Sequence, residues 1–305
     1  MDNTSYKQFW NKQARTPESA MFAVDGSTNE EIVRRTGEFA ARQIMAVLEV
    51  QPDDRILDLG CGLGRVGRQL APHCAQWVGV DISGDMIRHA RERMQDIENV
   101  TFQQLESSSL DMFPSDSFDK AYSTAVLCHM DNEDLFLYLE ELRRVLKPGG
   151  LVYVDTWNLA HPTGWKRWLY EVRFWQRGSQ SERKDVARNQ FCTPDELRLY
   201  ARHAGLEVLA CFDESHWLQL AAGKQLSDPA AHIQRIESAK ERIVYSPLFA
   251  DFFEKTCEVI YGETHPREVI AYMDRHRDEE EHGLFQPFIR GLWAAQSDHW
   301  GQPED

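Results

Sequence analysis

The sequence predicts an α/β fold in which a mostly parallel sheet is flanked by helices. The chain has 305 residues with 42% hydrophobic and 27% charged side chains, a composition typical of a globular protein. Between residues 55 and 155, short apolar runs alternate with amphipathic stretches, and this alternation indicates βαβ units. The predicted strands are Arg55–Leu59, Trp77–Val80, Val100–Gln104, Lys120–Ser123 and Leu151–Asp155, with helices around 64–73, 84–95 and 132–146.

The flanking segments follow other patterns. Residues 1–50 carry an imperfect helical stripe of apolar residues, and Pro52 marks the end of the predicted helix. A helix begins at Thr193-Pro194 and a strand follows at Leu206–Phe212, whereas residues 214–305 indicate mainly helices that begin near prolines. We therefore predict an N-terminal helical segment (1–50), a core (51–213) with an insertion at 156–190, and a C-terminal helical cap (214–305).

Charge and cysteine usage exclude several classes of protein. A net charge of −15 disfavours nucleic acid as a partner. Met1–Trp10 lacks the apolar core of a signal peptide, and no stretch approaches the roughly 20 apolar residues that a membrane span needs. The six cysteines form no CxxC pair, so we expect no metal site. These features predict a soluble cytoplasmic protein with no membrane partner.

The most informative segment runs from Ile56 to Gly64 and reads Ile-Leu-Asp-Leu-Gly-Cys-Gly-Leu-Gly. An apolar strand leads directly into a glycine-rich turn, where backbone can approach a ligand closely, and then into a helix. Residues 62–67 also match the G-x-G-x-x-G dinucleotide fingerprint, with Asp81 at a suitable distance, so an NAD-binding oxidoreductase is one alternative. Asp58 argues against it, because a carboxylate suits a cationic ligand better than a pyrophosphate.

The run D-L-G-C-G-x-G resembles the first motif of class I methyltransferases that use S-adenosylmethionine (SAM). Later segments resemble further motifs of this family in order, namely Ser117–Asp119, Tyr122–His129 and Leu142–Gly150. The resemblance spans roughly residues 45–213 and implies a Rossmann-like seven-stranded sheet whose last strand pair is antiparallel.

The resemblance also implies a set of cofactor-binding residues. Asp58 and the turn residues Gly60, Cys61 (through its backbone), Gly62 and Gly64 would surround the methionine part of SAM. Asp81 would accept hydrogen bonds from the ribose hydroxyls, with Ile82 beside it and Met86 near the adenine. Glu106 and Ser107 stand where the family often has Gly-Asp-Ala, and Ser123 lies in a later motif. Alternatively, Asp58 caps the glycine turn and Asp81 caps the following helix.

Candidate residues for the methyl acceptor follow the fourth and fifth strands. His129 is a candidate general base or acceptor-positioning group, with His161 as a second candidate, although either could be a capping or packing residue. Trp157 and Asn158 are candidate pocket residues. Residues 158–190 hold seven Lys and Arg against three acids, so Arg173 and Arg177 are candidates for binding an anionic acceptor, unless this stretch is only a solvated helix.

We therefore predict methyl transfer from SAM to an O, N or S atom of a small molecule, including acceptors that bear a carboxylate or phosphate. The alternatives are another transfer chemistry at a SAM site, an NAD-binding oxidoreductase, and a non-catalytic SAM-binding partner protein. We expect S-adenosylhomocysteine (SAH) as the product, no metal, and a monomer or homodimer.

Overall fold

The computed structural model describes residues 4–175, 189–243, 247–275 and 280–303. Within these ranges one sheet holds eight strands, and most neighbouring pairs are parallel, which confirms the predicted α/β class. The strands are β1 (Arg55–Leu59), β2 (Gln76–Asp81), β3 (Val100–Gln104), β4 (Phe118–Ser123), β5 (Leu146–Asn158), β6 (Phe191–Cys192), β7 (Glu207–Phe212) and β8 (Trp217–Gly223).

The sheet order is β3-β2-β1-β4-β5-β8-β7, a seven-stranded path to which the two-residue β6 adds an eighth strand beside the end of β5. β8 runs antiparallel to both β5 and β7, so the last strand pair is antiparallel as expected. The chain reverses its direction of winding between β1 and β4. In open α/β sheets, ligands bind beyond the carboxyl ends of the strands at such a switch point.

Helices cover the sheet, and their ends follow ordinary capping chemistry. Thr16 caps a helix that begins at Pro17 and forms a capping box with Ser19. This helix ends at Gly26, whose φ is 68°. The helices are α1 (Thr4–Gln13), α2 (Pro17–Asp25), α3 (Glu30–Leu48), α4 (Arg65–Leu70), α5 (Gly84–Arg93), α6 (Asn132–Val145), α7 (Pro162–Trp175), α8 (Pro194–His203), α9 (Pro229–Ile243), α10 (Pro247–Ile260), α11 (Pro266–Arg275), α12 (Glu280–Ala295) and α13 (Ser297–Trp300).

β8 lies in a segment for which the sequence indicated mainly helix. It reads Trp-Leu-Gln-Leu-Ala-Ala-Gly, and nearly every residue is buried. A strand that sits between two others and is covered on both faces shows no polar–apolar alternation. Alanine and glycine also give a weak strand signal. The sheet therefore extends past the boundary predicted at residue 213.

The chain divides into two compact units, Met1–Val244 and Tyr245–Asp305. The first holds the sheet and helices α1–α9. The second is helical, with buried Val259, Ile270, Phe285, Ile289 and Trp293. Among the described residues, no helix is long and apolar enough to cross a bilayer.

Candidate cofactor-binding and active site

A cavity with about 1000 Å³ of open space lies in the first unit, at the carboxyl ends of β1, β2 and β4. Of the residues predicted from the sequence, eight line the cavity: Asp58, Gly60, Cys61, Gly62, Asp81, Ile82, Met86 and His129. The switch point of the sheet therefore brings together the first motif, the end of β2 and the turn after β4.

The glycine turn after β1 depends on two features that only glycine supplies. Gly60, Gly62 and Gly64 all have positive φ, at 78°, 52° and 71°. A Cβ on Gly60 would lie 2.3 Å from the Cγ2 atom of Val126, so the turn after β4 closes directly onto it. The backbone N–H groups of Gly60 and Cys61 both donate to the carbonyl of Val80, which ties the turn to β2.

Asp58 is a buried carboxylate on the cavity wall. Its Oδ2 accepts a 2.7 Å hydrogen bond from the Tyr122 hydroxyl, and that hydroxyl in turn accepts a 2.9 Å bond from Trp77 Nε1. Burial raises the pKa of Asp58 to about 7, although the bond from Tyr122 opposes the shift. A buried carboxylate held in this way is stabilised by a cationic ligand that supplies the missing counter-charge.

Asp81 lies at the end of β2 and is 8% exposed. One carboxylate oxygen accepts the N–H of Gly62 at 2.9 Å and the other accepts the N–H of Ser83 at 2.8 Å. The backbone of Ile82 also hydrogen-bonds this carboxylate. A carboxylate has about four lone-pair sites, so Asp81 can still accept from a hydroxyl. Burial raises the pKa of Asp81 to about 6. The side chain that caps α5 is that of Ser83, which accepts from Met86 N, so Asp81 is not the cap of this helix.

Acidic side chains surround one cation beside the cavity. Arg65 Nε lies 3.9 Å from the Asp25 carboxylate, and its positive charge also opposes the raised pKa of Asp58 and Asp155. Burial raises the pKa of Asp155 to about 7 and that of Asp25 to about 6. Three buried carboxyl groups thus share one guanidinium, and this part of the protein favours a positively charged ligand.

His129 lines the cavity from the short 3-10 turn Leu127–His129. Its ring packs edge-on against Trp10 of α1, with ring centroids 4.8 Å apart. Burial, together with the charge of Arg167, lowers the pKa of His129 to about 4. The imidazole is therefore neutral at physiological pH and has a lone pair that can accept a proton.

Four predicted cofactor residues lie off the cavity wall. Gly64 begins α4. Ser123 is fully buried and donates from its hydroxyl to the carbonyl of Leu59, which links β4 to β1. Glu106 is 76% exposed at its side chain and pairs with Lys7 at 2.7 Å, and Ser107 also lies off the wall. The residues that reach the cavity from this segment are Leu105 and Ser108.

The predicted acceptor residues other than His129 also lie elsewhere. Trp157 is buried and stacks on Trp217 with centroids 4.9 Å apart. Asn158 is fully buried, and its amide nitrogen donates to the carbonyls of Asp213 and Ser215. Both residues hold the end of β5 in place and do not line the cavity.

His161 accepts from the N–H of Thr163 at the start of α7, in the manner of a helix cap, and is not on the cavity wall. Arg173 is exposed on α7, and Arg177 lies outside the described residues. In the described ranges, no group of three or more His, Cys, Asp or Glu side chains could hold a metal ion.

Many residues of the cavity wall were not predicted from the sequence. α1 contributes Tyr6 and Trp10, and α2 contributes Ala23 and Val24. The remaining wall residues that were not predicted are Leu59, Arg65, Val66, Leu105, Ser108, Thr124, Ala125, Val126, Met130 and Tyr138. Tyr6 and Trp10 are four residues apart and so share one helix face, a signal that the aromatic start of the chain does contain.

Comparison with known proteins agrees with this geometry. A family model described as a methyltransferase domain matches residues 56–150. An uncharacterised methyltransferase of Bacillus subtilis is 32% identical over 130 residues, which cover 41% of this chain and 50% of that protein. A demethylmenaquinone methyltransferase of Tropheryma whipplei is 35% identical over 121 residues, covering 40% of this chain and 48% of that protein. The chain thus spans half or less of the length of these curated relatives.

The fold also has close counterparts among solved structures. A protein of Pyrococcus horikoshii superposes with a TM-score of 0.52 at 24% identity, over 64% of this chain and 92% of that one. This likeness concerns the fold alone. Residues 56–150 form a methyltransferase domain, and over this part the chain is similar to known methyltransferases.

Proposed function

We propose that the chain binds SAM in the cavity at the carboxyl ends of β1, β2 and β4, and transfers its methyl group to an O, N or S atom of a small molecule. The observation that carries this proposal is the pair of buried carboxylates, Asp58 and Asp81, on either side of a glycine turn. SAM supplies a methyl group on a positively charged sulfur and leaves as neutral-sulfur SAH.

The residues of this cavity suit such a ligand. Asp81 retains acceptor capacity for a ribose hydroxyl, and the pocket beside it is apolar at Ile82, Met86 and Leu105. Asp58 and the backbone of Gly60 and Gly62 would face the amino acid part. The N–H groups of Gly60 and Cys61 already donate to β2, so they are not available to a pyrophosphate. The carboxylates beside the turn would also repel its negative charge. This argues against NAD.

His129 is the best-placed proton acceptor on the cavity wall. Methyl transfer mostly requires alignment of the two reacting atoms, but an acceptor with a hydroxyl, ammonium or thiol group must also lose a proton. The imidazole of His129 is neutral at physiological pH, so its lone pair can take up this proton as the bond to the methyl carbon forms. We therefore propose His129 as the general base, and not His161, which caps α7.

Turnover of SAM with a labelled methyl group tests the proposal. We expect labelled product with a small-molecule extract as the acceptor source, and a loss of about 10²-fold or more in kcat for His129→Ala with an unchanged Kd for SAM. His161→Ala is the matched control and should retain turnover. A label that stays on SAM, or a product that carries another part of SAM, would favour a non-catalytic protein or a different transfer chemistry.

A further inference from the structure

The part of the cavity wall that takes no part in the proposed SAM contacts is apolar and aromatic. It comes from α1 and α2, which contribute Tyr6, Trp10 and Val24, and from the turn after β4, which contributes Val126 and Met130. These two sides meet over the glycine turn. A Cβ on Gly62 would lie 3.2 Å from Val24, and one on Gly60 would lie 2.3 Å from Val126. The wall is therefore positioned next to the proposed methyl donor.

α1 is fixed to the methyltransferase core by polar contacts, so this wall is part of the folded site. The buried Ser83 hydroxyl donates to Asn11 Oδ1 at 2.8 Å. On the next turn of α5, His89 Nε2 lies 2.9 Å from the carbonyl oxygen of Ala14. Lys7 adds a surface ion pair with Glu106. Trp10 is held between these contacts and packs against His129.

The charges around the cavity disfavour an anionic acceptor. Among the described residues that line it, Arg65 is the only Lys or Arg, and it lies against the carboxylate of Asp25. Asp58 and Asp81 contribute two carboxylates to the same wall. An acceptor with a carboxylate or phosphate would lose its hydration and face these like charges, both of which cost free energy.

We propose that the methyl acceptor is an uncharged aromatic alcohol, and that its ring lies between the α1–α2 wall and the turn after β4, with its hydroxyl near His129. This inference rests on the proposed function and deepens it. It also assigns acceptor specificity to the N-terminal helices, chiefly through Trp10.

The proposed transfer needs only the acceptor hydroxyl, SAM and His129. The hydroxyl oxygen of the acceptor forms a bond to the methyl carbon while the bond from that carbon to sulfur breaks, and its electron pair stays on sulfur. The hydroxyl proton passes to the neutral imidazole of His129 and from there to solvent. The products are a methyl ether and SAH, and no other reactant is needed.

A matched pair of probes tests this proposal, a naphthol and the corresponding hydroxynaphthoate, which differ by one carboxylate. Each is titrated into the full-length protein saturated with SAH. We expect the naphthol to bind at least about tenfold more tightly than the hydroxynaphthoate, because the carboxylate must be desolvated beside like charges. We expect Trp10→Ala to weaken naphthol binding by about tenfold, and Trp10→Phe to restore most of it.

The control variant is Phe22→Ala, since Phe22 of α2 is 62% exposed and lies off the cavity wall. It should leave naphthol binding unchanged. Equal or tighter binding of the hydroxynaphthoate, no measurable binding of the naphthol, or an unchanged affinity in a folded Trp10→Ala protein would each overturn the proposal. The Kd of SAM, measured on the same samples, separates these outcomes from failure of the proposed function, in which SAM itself would not bind.

Discussion

At the scale of single residues, the unusual feature of this protein is the number of carboxyl groups buried around one site. Asp58 and Asp81 line the cavity, and Asp25 and Asp155 lie close to Arg65. Each has a pKa raised by burial, to between about 6 and about 7. Without ligand these acids hold protons at mildly acidic pH, whereas a cationic ligand favours their ionised forms.

The affinity for SAM should therefore depend on pH. The pKa of Asp58 is about 7 and that of Asp81 about 6 in the ligand-free protein, so binding of a cation releases protons below these values. Linkage allows up to about a tenfold change in Kd per pH unit for each proton released. We predict that the Kd of SAM is at least about tenfold higher at about pH 5.5 than at about pH 8.

Calorimetry in buffers of different ionisation enthalpy measures both the Kd and the protons released. Asp58→Asn provides the control, because it removes one titrating group while keeping a side chain that can accept the Tyr122 hydroxyl. The pH dependence should become shallower in this variant. A Kd of SAM that is the same across the whole range in the wild type would show that the carboxylates are ionised before the ligand arrives.

At the scale of elements, the strand β1, its glycine turn and α4 form the unit that would hold the proposed cofactor. The sequence contained this unit in full, because an apolar run, three glycines and a helix follow each other without a break. It did not reveal the α1–α2 wall, since contacts such as that between Trp10 and His129 join residues far apart in the chain. Periodicity identifies a helix but not what the helix packs against.

The same limit explains why two residues predicted to bind the acceptor lie away from the cavity. Trp157 and Asn158 follow β5 at the edge of the sheet where ligands usually bind, so their position was a reasonable basis for prediction. In the structure β6 and β8 run beside this end of β5, and the two side chains serve those contacts. Neither neighbour could be predicted, because β6 has two residues and β8 lacks alternation.

A pair of glycine variants separates backbone strain from packing in the cofactor turn. Gly60 and Gly149 have similar φ values, 78° and 84°, but a Cβ on Gly149 would meet no atom within 4 Å. Alanine in the left-handed region costs about 1–2 kcal/mol, so Gly149→Ala should lower the free energy of unfolding by that amount and leave the Kd of SAM unchanged. Gly60→Ala adds a clash with Val126 and should destabilise further.

Urea unfolding gives the two stabilities, and SAM titration gives the two affinities. We expect Gly60→Ala to bind SAM at least about tenfold more weakly than the wild type, because the turn must move away from Val126. If the two variants proved equally stable and both bound SAM normally, the close approach of the turn after β4 to Gly60 would not be important for the site.

At the scale of the whole molecule, all the residues of the proposed site belong to the unit Met1–Val244. The methyltransferase domain match covers 56–150, so α1 and α2 lie outside it although they complete the cavity. The proposed cofactor site therefore lies mainly in the matched domain, whereas much of the proposed acceptor wall comes from α1 and α2, which lie outside it. The net charge of −15 accords with a site whose wall is itself acidic.

A calorimetric titration tests most directly whether the chain binds SAM through Asp81. SAM is titrated into protein freed of any co-purified ligand, for the wild type, Asp81→Ala and Glu106→Ala. We predict one site with a micromolar Kd, a loss of at least about 1.4 kcal/mol of binding free energy for Asp81→Ala, and no change for Glu106→Ala, whose side chain is exposed and paired with Lys7. If the wild type did not bind SAM, the cavity would not be a SAM site. If Asp81→Ala bound SAM as tightly as the wild type, Asp81 would not contact the ribose.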